Sequence, residues 1–159
     1  MKEIKLKIDG VIIRVNVEDN EILLDLLRNK LGIRSVKAAC WRGECGLCSV
    51  LLNGIPIKSC MMLAVEAEDQ EIITAQGLYF DERARKLMDS FVRHGAMQCG
   101  FCTPAFIVTS HYILNKNPDA DDDEINEGLK SVICRCGTYF QIKEAVKEAK
   151  KYYDHFSKS

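Results

Sequence analysis

Eight cysteines in 159 residues fall into two sets of four, and no other feature of the chain constrains its fold as strongly. The first set, Cys40, Cys45, Cys48 and Cys60, has C-x4-C-x2-C…C spacing, the ligand spacing of plant-type two-iron clusters. The second set, Cys99, Cys102, Cys134 and Cys136, has the same stoichiometry on a different pattern, C-x2-C followed by C-x-C. Each set can supply four thiolates, so the chain has donors for two separate sites, and two clusters in one small chain form a relay for electrons.

The length fits one domain or two small ones, and two metal sites with their own flanking elements favour two. Domains of roughly 80 residues bury modest cores and commonly lean on a bound metal, so loss of a cluster is expected to loosen the fold. With 22 basic and 23 acidic residues and no basic stretch, nucleic acid is excluded as a partner. Nothing resembles a signal peptide or a membrane span, which predicts a cytoplasmic protein with no membrane partner. In a reducing compartment clustered cysteines read as metal ligands or redox groups before they read as disulfides.

Ile4, Leu6 and Ile8, an Asp9-Gly10 turn, then Ile13, Val15 and Val17 predict a β-hairpin with one buried face. Asn20 is a candidate cap for a helix carrying Ile22, Leu23, Leu26 and Leu27, with Gly32 past its end. Val50 to Leu52 and Ile55 to Ile57 flank an Asn53-Gly54 turn, Pro56 marks an edge strand, and residues 71–74 make a last short strand. Residues 75–78 read as the crossing between domains. Beyond them the hydrophobic period becomes helical. Ala84, Leu87, Met88, Phe91 and Val92 share one stripe, Phe106, Ile107, Ser110, Ile113 and Leu114 a second, Ile125, Leu129, Val132 and Ile133 a third, and Tyr139, Ile142, Val146, Ala149 and Tyr153 a fourth. The fold class is therefore α+β, with a β-grasp, ferredoxin-like domain over residues 1–77 and a four-helix bundle over 78–159.

The acidic run Asp121 to Glu124 reads as a helix cap rather than a cation site, because carboxylates in a first turn complement the helix dipole. The lysines from Lys143 to Lys151 read as a solvated helix face, and His94, His111 and His155 have no paired ligand spacing. In the first cysteine loop Gly43 and Gly46 allow the tight curl that brings backbone N–H groups toward sulfur. Zinc remains the alternative metal, although it usually takes paired knuckles rather than a fourth cysteine beyond a hairpin.

Three segments, Lys37-Ala38-Ala39-Cys40-Trp41-Arg42-Gly43-Glu44-Cys45-Gly46-Leu47-Cys48, Gln98-Cys99-Gly100-Phe101-Cys102-Thr103-Pro104 and Cys134-Arg135-Cys136-Gly137-Thr138-Tyr139, carry a resemblance. Together they resemble the iron-sulfur subunit of the molybdenum hydroxylases, a family that includes xanthine dehydrogenase, aldehyde oxidoreductase and carbon monoxide dehydrogenase. The resemblance runs from about residue 3 to about residue 153 and implies two 2Fe-2S clusters. It assigns Cys99, Cys102, Cys134 and Cys136 to a cluster near a molybdenum-pterin cofactor on a large subunit. Cys40, Cys45, Cys48 and Cys60 would hold the cluster nearer FAD on a flavin subunit, and Gln98 would contact the pterin. The resemblance further implies electron transfer from molybdenum through this chain to flavin, with substrate choice in the large subunit. A free-standing two-cluster ferredoxin and a zinc-stabilised interaction protein are the rival readings. Ala39 and Ala105 stand where the family usually has glycine, and Gly137-Thr138 where Thr-Gly is common. Trp41 is read either as an interface residue or as a ring buried in its own domain.

Overall fold

The two hairpins form as the turn residues dictate. In the computed structural model, which describes residues 1–154, Asp9-Gly10 and Asn53-Gly54 each take positive φ at both positions. That is the backbone of a two-residue hairpin turn matched to the twist of the flanking strands. Strands β1 (Lys2–Ile8) and β2 (Val11–Val17) pair antiparallel, with Ile4 opposite Val15 and Leu6 opposite Ile13. Strands β3 (Ser49–Leu52) and β4 (Ile55–Lys58) form the second hairpin, and β5 (Glu71–Ile73) runs between the two pairs. The sheet order is β2-β1-β5-β3-β4, with β1 and β5 parallel and every other pair antiparallel. Pro56 thus lies on an edge strand, where its missing N–H removes no ladder bond toward a further neighbour.

A short helix follows β2, α-helical over Leu23–Asp25 (α1) and π-helical over Leu26–Lys30. Leu23, Leu24, Leu26 and Leu27 are all buried, and with Ile4, Leu6, Ile8, Val17, Val50 and Ile72 they make one core. Each fully buried side chain of this kind contributes roughly 1.5–3 kcal/mol. Asn20 is exposed and does not cap this helix; Ile22, extended and bridged to Leu63, holds the N-cap position with no side-chain cap.

The second core lies among α3 (Glu82–Arg93), α4 (Thr103–Lys116), α5 (Asp122–Leu129) and α6 (Tyr139–Ala149), around Leu87, Phe91, Phe106, Ile125, Ile142 and Val146. Asp121 caps α5 through the N–H groups of Asp123 and Glu124, and Glu124 reaches back to the Asp121 N–H, so the acidic run is a capping box. Helices α4 and α5 cross closely: a Cβ on Gly128 would stand 2.3 Å from Cδ1 of Ile113. Two residues of the expected stripes face outward instead, Val92 at 68% exposure and Ile133 at 49%. Tyr139 is also partly exposed, with its ring edge-on to Phe106. The lysines of α6 are not simply solvated, since Lys143 and Lys147 both pair with Asp122. His94 pairs with Glu148 and His111 is buried, while His155 lies outside the described residues.

Residues 75–78, expected to cross between the halves, form a helical turn, α2 (Ala75–Leu78). Thr74 caps it, accepting from the N–H groups of Gln76 and Gly77. The Asp9 carboxylate in turn accepts from the Thr74 amide (2.7 Å) and hydroxyl (2.8 Å), tying the first hairpin to the start of the helical half. A Cβ on Gly77 would lie 2.0 Å from that carboxylate, so the joint closes only over glycine.

Candidate metal centres

The first cysteine loop connects the π-helical turn to β3. Trp41, Gly43 and Gly46 take φ of 58°, 75° and 69°, and these reversals coil residues 40–48 so that backbone donors turn inward. The Cys45 N–H donates to Cys40 Sγ at 3.4 Å. Lys58 from β4 donates to the Gly43 carbonyl, and Ser59 donates to the Cys48 carbonyl through both its amide and its hydroxyl. Cys60 follows in a 3-10 turn, Ser59–Met61, buried beside Cys48.

The backbone N–H groups of Cys45 and Arg42 pull the Cys40 thiol down to about 6. Burial pushes the Cys48 thiol up to about 11; the Cys60 backbone N–H opposes the rise while the Cys60 thiol adds to it. The thiols interact in pairs, Cys40 with Cys45 and Cys48 with Cys60.

The second set is built by two loops. Cys99 and Cys102 flank Gly100 (φ 77°) between α3 and α4, and Cys102 is the N-cap residue of α4. Cys134 and Cys136 lie between α5 and α6, with Gly137 at φ 81° and Thr138 at the N-cap of α6. Two helix N-termini, the positive ends of their dipoles, therefore adjoin this set. In this set Cys99 interacts with both Cys136 and Cys134, and Cys102 with both Cys134 and Cys99. Burial drives the Cys102 thiol up to about 12, and the adjacent Cys134 reinforces it. Burial also raises Cys134, but hydrogen bonds from Thr138, Cys102 and Gly137 outweigh it and leave that thiol near 7. The Phe101 N–H and then Cys136 lower Cys99.

All eight cysteines are free thiols. Among the described residues no three His, Cys, Asp or Glu side chains gather as ligands of one metal ion. Four thiols are the number of protein donors that a two-iron cluster needs, two sulfurs to each iron.

The two loops touch. The Ile133 N–H, one residue before Cys134, donates to the Cys45 carbonyl at 2.9 Å. A Cβ on Gly46 would stand 1.9 Å from the Ser131 carbonyl oxygen. Gln98 is exposed beside exposed Cys99, and Ala39 is exposed while Ala105 is buried in α4. Trp41 is 44% exposed, which corrects the reading of a ring buried in its own domain. Next to the Cys99 loop an apolar groove of about 630 Å³ opens between α2, α3 and α4, lined by Tyr79, Phe80, Met88, Val92, Met97 and Pro104 among others. Two polar contacts were not foreseen from sequence: the Cys134 N–H donates to the Tyr139 hydroxyl (2.7 Å), and the Thr138 hydroxyl lies 3.2 Å from Cys134 Sγ. Both residues stood in the third cysteine motif, but spacing alone does not say where a hydroxyl points.

Two family models match the chain, a 2Fe-2S iron-sulfur cluster binding domain over residues 6–79 and a 2Fe-2S binding domain over residues 74–147. The nicotinate dehydrogenase small FeS subunit of Eubacterium barkeri is 43% identical over 146 residues, covering 92% of this chain and 93% of that protein. The chain belongs to the iron-sulfur subunits of the molybdenum hydroxylases. Another member of this family, the aldehyde oxidoreductase iron-sulfur-binding subunit of Escherichia coli K12, is 33% identical, with 91% of this chain and 69% of that subunit covered. A chain of quinoline 2-oxidoreductase from Pseudomonas putida 86 superposes with a TM-score of 0.92 at 37% identity, covering 98% of this chain and 97% of that one. The aldehyde oxidoreductase of Desulfovibrio desulfuricans superposes at 0.89 and 32% identity, but there the match spans only 17% of a longer chain. As an iron-sulfur subunit of this family the protein carries two 2Fe-2S clusters and transfers electrons within an oxidoreductase complex that has a larger partner subunit.

Proposed function

We propose that Cys40, Cys45, Cys48 and Cys60 hold one cluster and Cys99, Cys102, Cys134 and Cys136 the other, in two regions divided after residue 77. The two family matches carry this reading, because residues 6–79 hold one set of four cysteines and residues 74–147 hold the other, and each such cluster takes four protein sulfurs. When bound, each cluster accepts and releases one electron. The chain's own residues supply placement and tuning. The loop glycines bring backbone N–H groups onto sulfur, the helix N-termini add partial positive charge beside the second set, and the Cys45 carbonyl and Ile133 N–H join the two sets by a single hydrogen bond.

In this reading electrons enter at the second set, nearer a molybdenum-pterin cofactor on the larger subunit, and leave from the first toward FAD on a flavin subunit. Exposed Cys99 and Gln98 support the entry side, with Gln98 offering its amide to the pterin. The chain contributes no substrate-converting site, a reading supported by the almost wholly apolar lining of the groove beside the Cys99 loop. The same reading places the chain in the cytoplasm, where a reducing environment keeps clustered cysteines available as metal ligands; no described helix is long and apolar enough to cross a membrane.

Iron and acid-labile sulfide analysis, with paramagnetic resonance on anaerobically purified, stepwise reduced protein, tests the assignment. Two distinct signals are expected, and Cys60→Ser and Cys136→Ser should each abolish or alter a different one. Colourless protein containing zinc and no iron would overturn it. Purification free of any larger subunit, with both clusters intact, would favour a free-standing carrier instead.

A further inference from the structure

Thr138 occupies the N-cap of α6, yet its hydroxyl makes no capping bond to the helix. It lies instead 3.2 Å from Cys134 Sγ, and the residue is only 3% exposed, so water competes little for it. An N-cap threonine normally spends its oxygen on the N–H of the second or third helical residue. Forgoing that contact while buried indicates that the sulfur is the partner. A ligating cysteine is a thiolate, which accepts and cannot donate, so in the loaded protein the hydroxyl must be the donor. The Cys134 amide is meanwhile directed at the Tyr139 hydroxyl.

We propose, building on the ligand assignment above, that the Thr138 hydroxyl donates to the Cys134 thiolate and raises the reduction potential of the second cluster. Reduction makes the ligand sulfur more electron-rich, so a donor on it is bound more strongly in the reduced state. Backbone N–H groups of Thr138 and Gly137 also reach Cys134, and the Thr138 hydroxyl adds to them a donor that a single substitution removes.

Redox titration followed by paramagnetic resonance on the loaded protein tests the proposal. Thr138→Val, which keeps the branched shape and removes the hydroxyl, should move one of the two signals to lower potential. A tenfold change in the one-electron equilibrium is the scale expected, ~59 mV. Thr138→Ser should titrate close to wild type, and the other signal should not move in either variant. Two signals at unchanged potentials in Thr138→Val, or an equal shift in both variants, would overturn the tuning role while leaving the ligand assignment standing. Wild-type protein lacking two signals would sink the assignment itself. Should Thr138→Val lose its cluster, hyperfine spectroscopy of the reduced wild type after brief exposure to D2O reads the same bond. Loss of one strongly coupled, fast-exchanging proton supports it, and no such loss counts against it.

Discussion

At the scale of single residues, Gly46 is constrained both by its backbone conformation and by what stands next to it. Its φ of 69° lies in the left-handed region, and an added Cβ would collide with a backbone oxygen, that of Ser131. Backbone oxygen cannot rotate away as a side chain can, so the collision must part the loop from the 131–134 segment. Gly46→Ala should therefore cost more than the about 1–3 kcal/mol of an unfavourable backbone conformation alone. Gly32→Ala is the control, because φ there is 69° with nothing within 4 Å of the added carbon, so only the conformational strain remains. Thermal unfolding of both variants checks this; equal losses would mean that the contact with Ser131 is not tight. The spacing of the cysteines made Gly46 legible as a loop glycine, but its partner lies 85 residues away in sequence and nothing local announces it.

At the scale of elements, α4 holds a buried polar cluster. His111 Nδ1 is 2.8 Å from the Tyr153 hydroxyl and its Nε2 is 3.2 Å from Asn115 Nδ2. Arg83 of α3 donates to Asn115 Oδ1, which fixes that amide with its NH2 toward the imidazole. The ring is therefore neutral with its proton on Nδ1, and a second proton would set donor against donor. Burial, with the Arg83 charge adding to it and Asp81 opposing, lowers His111 from 6.5 to about 4. Above 6.5 neither folded nor unfolded chain protonates here; between 6.5 and 4 the unfolded chain binds the proton and the folded one does not, so stability falls as the pH is lowered through this range. The loss expected is roughly 3 kcal/mol by pH 4. Denaturant unfolding of wild type and His111→Gln at pH 7 and pH 4.5 checks it, since the variant should lack this part of the acid sensitivity. Sequence periodicity disclosed α3 to α6 because each helix keeps a buried stripe, and turn chemistry disclosed both hairpins. It did not disclose which edge of a stripe stays uncovered, as at Val92 and Ile133, nor the unaided start at Ile22, because these depend on what packs alongside.

At the scale of the whole molecule, two cores meet where Cys45, Leu47 and Leu51 of the sheet region pack among the helices, so the cysteine loops face each other across a shared apolar seam. That seam fixes the two candidate centres relative to one another, and Asp9 with Thr74 braces the opposite joint. One group of uncovered apolar side chains lies beside the Cys99 loop: Phe80 is 82% exposed, and Tyr79, Val92 and Met97 are exposed along the same groove. A contiguous apolar patch of this kind marks an interface more often than free surface. The family supplies a larger partner subunit, and the electron entry proposed at Cys99 would bring that partner to this face. Phe80→Asp should therefore weaken association with the larger subunit by on the order of 2 kcal/mol, the scale of a central aromatic anchor. Both paramagnetic signals should persist, because Phe80 touches neither cysteine set and its ring packs edge-on to Tyr79 in the open. Co-purification and sedimentation of the variant complex measure the first outcome and resonance the second. An unaltered complex would move the docking face elsewhere, with the exposed Trp41 on the other loop as the next residue to substitute.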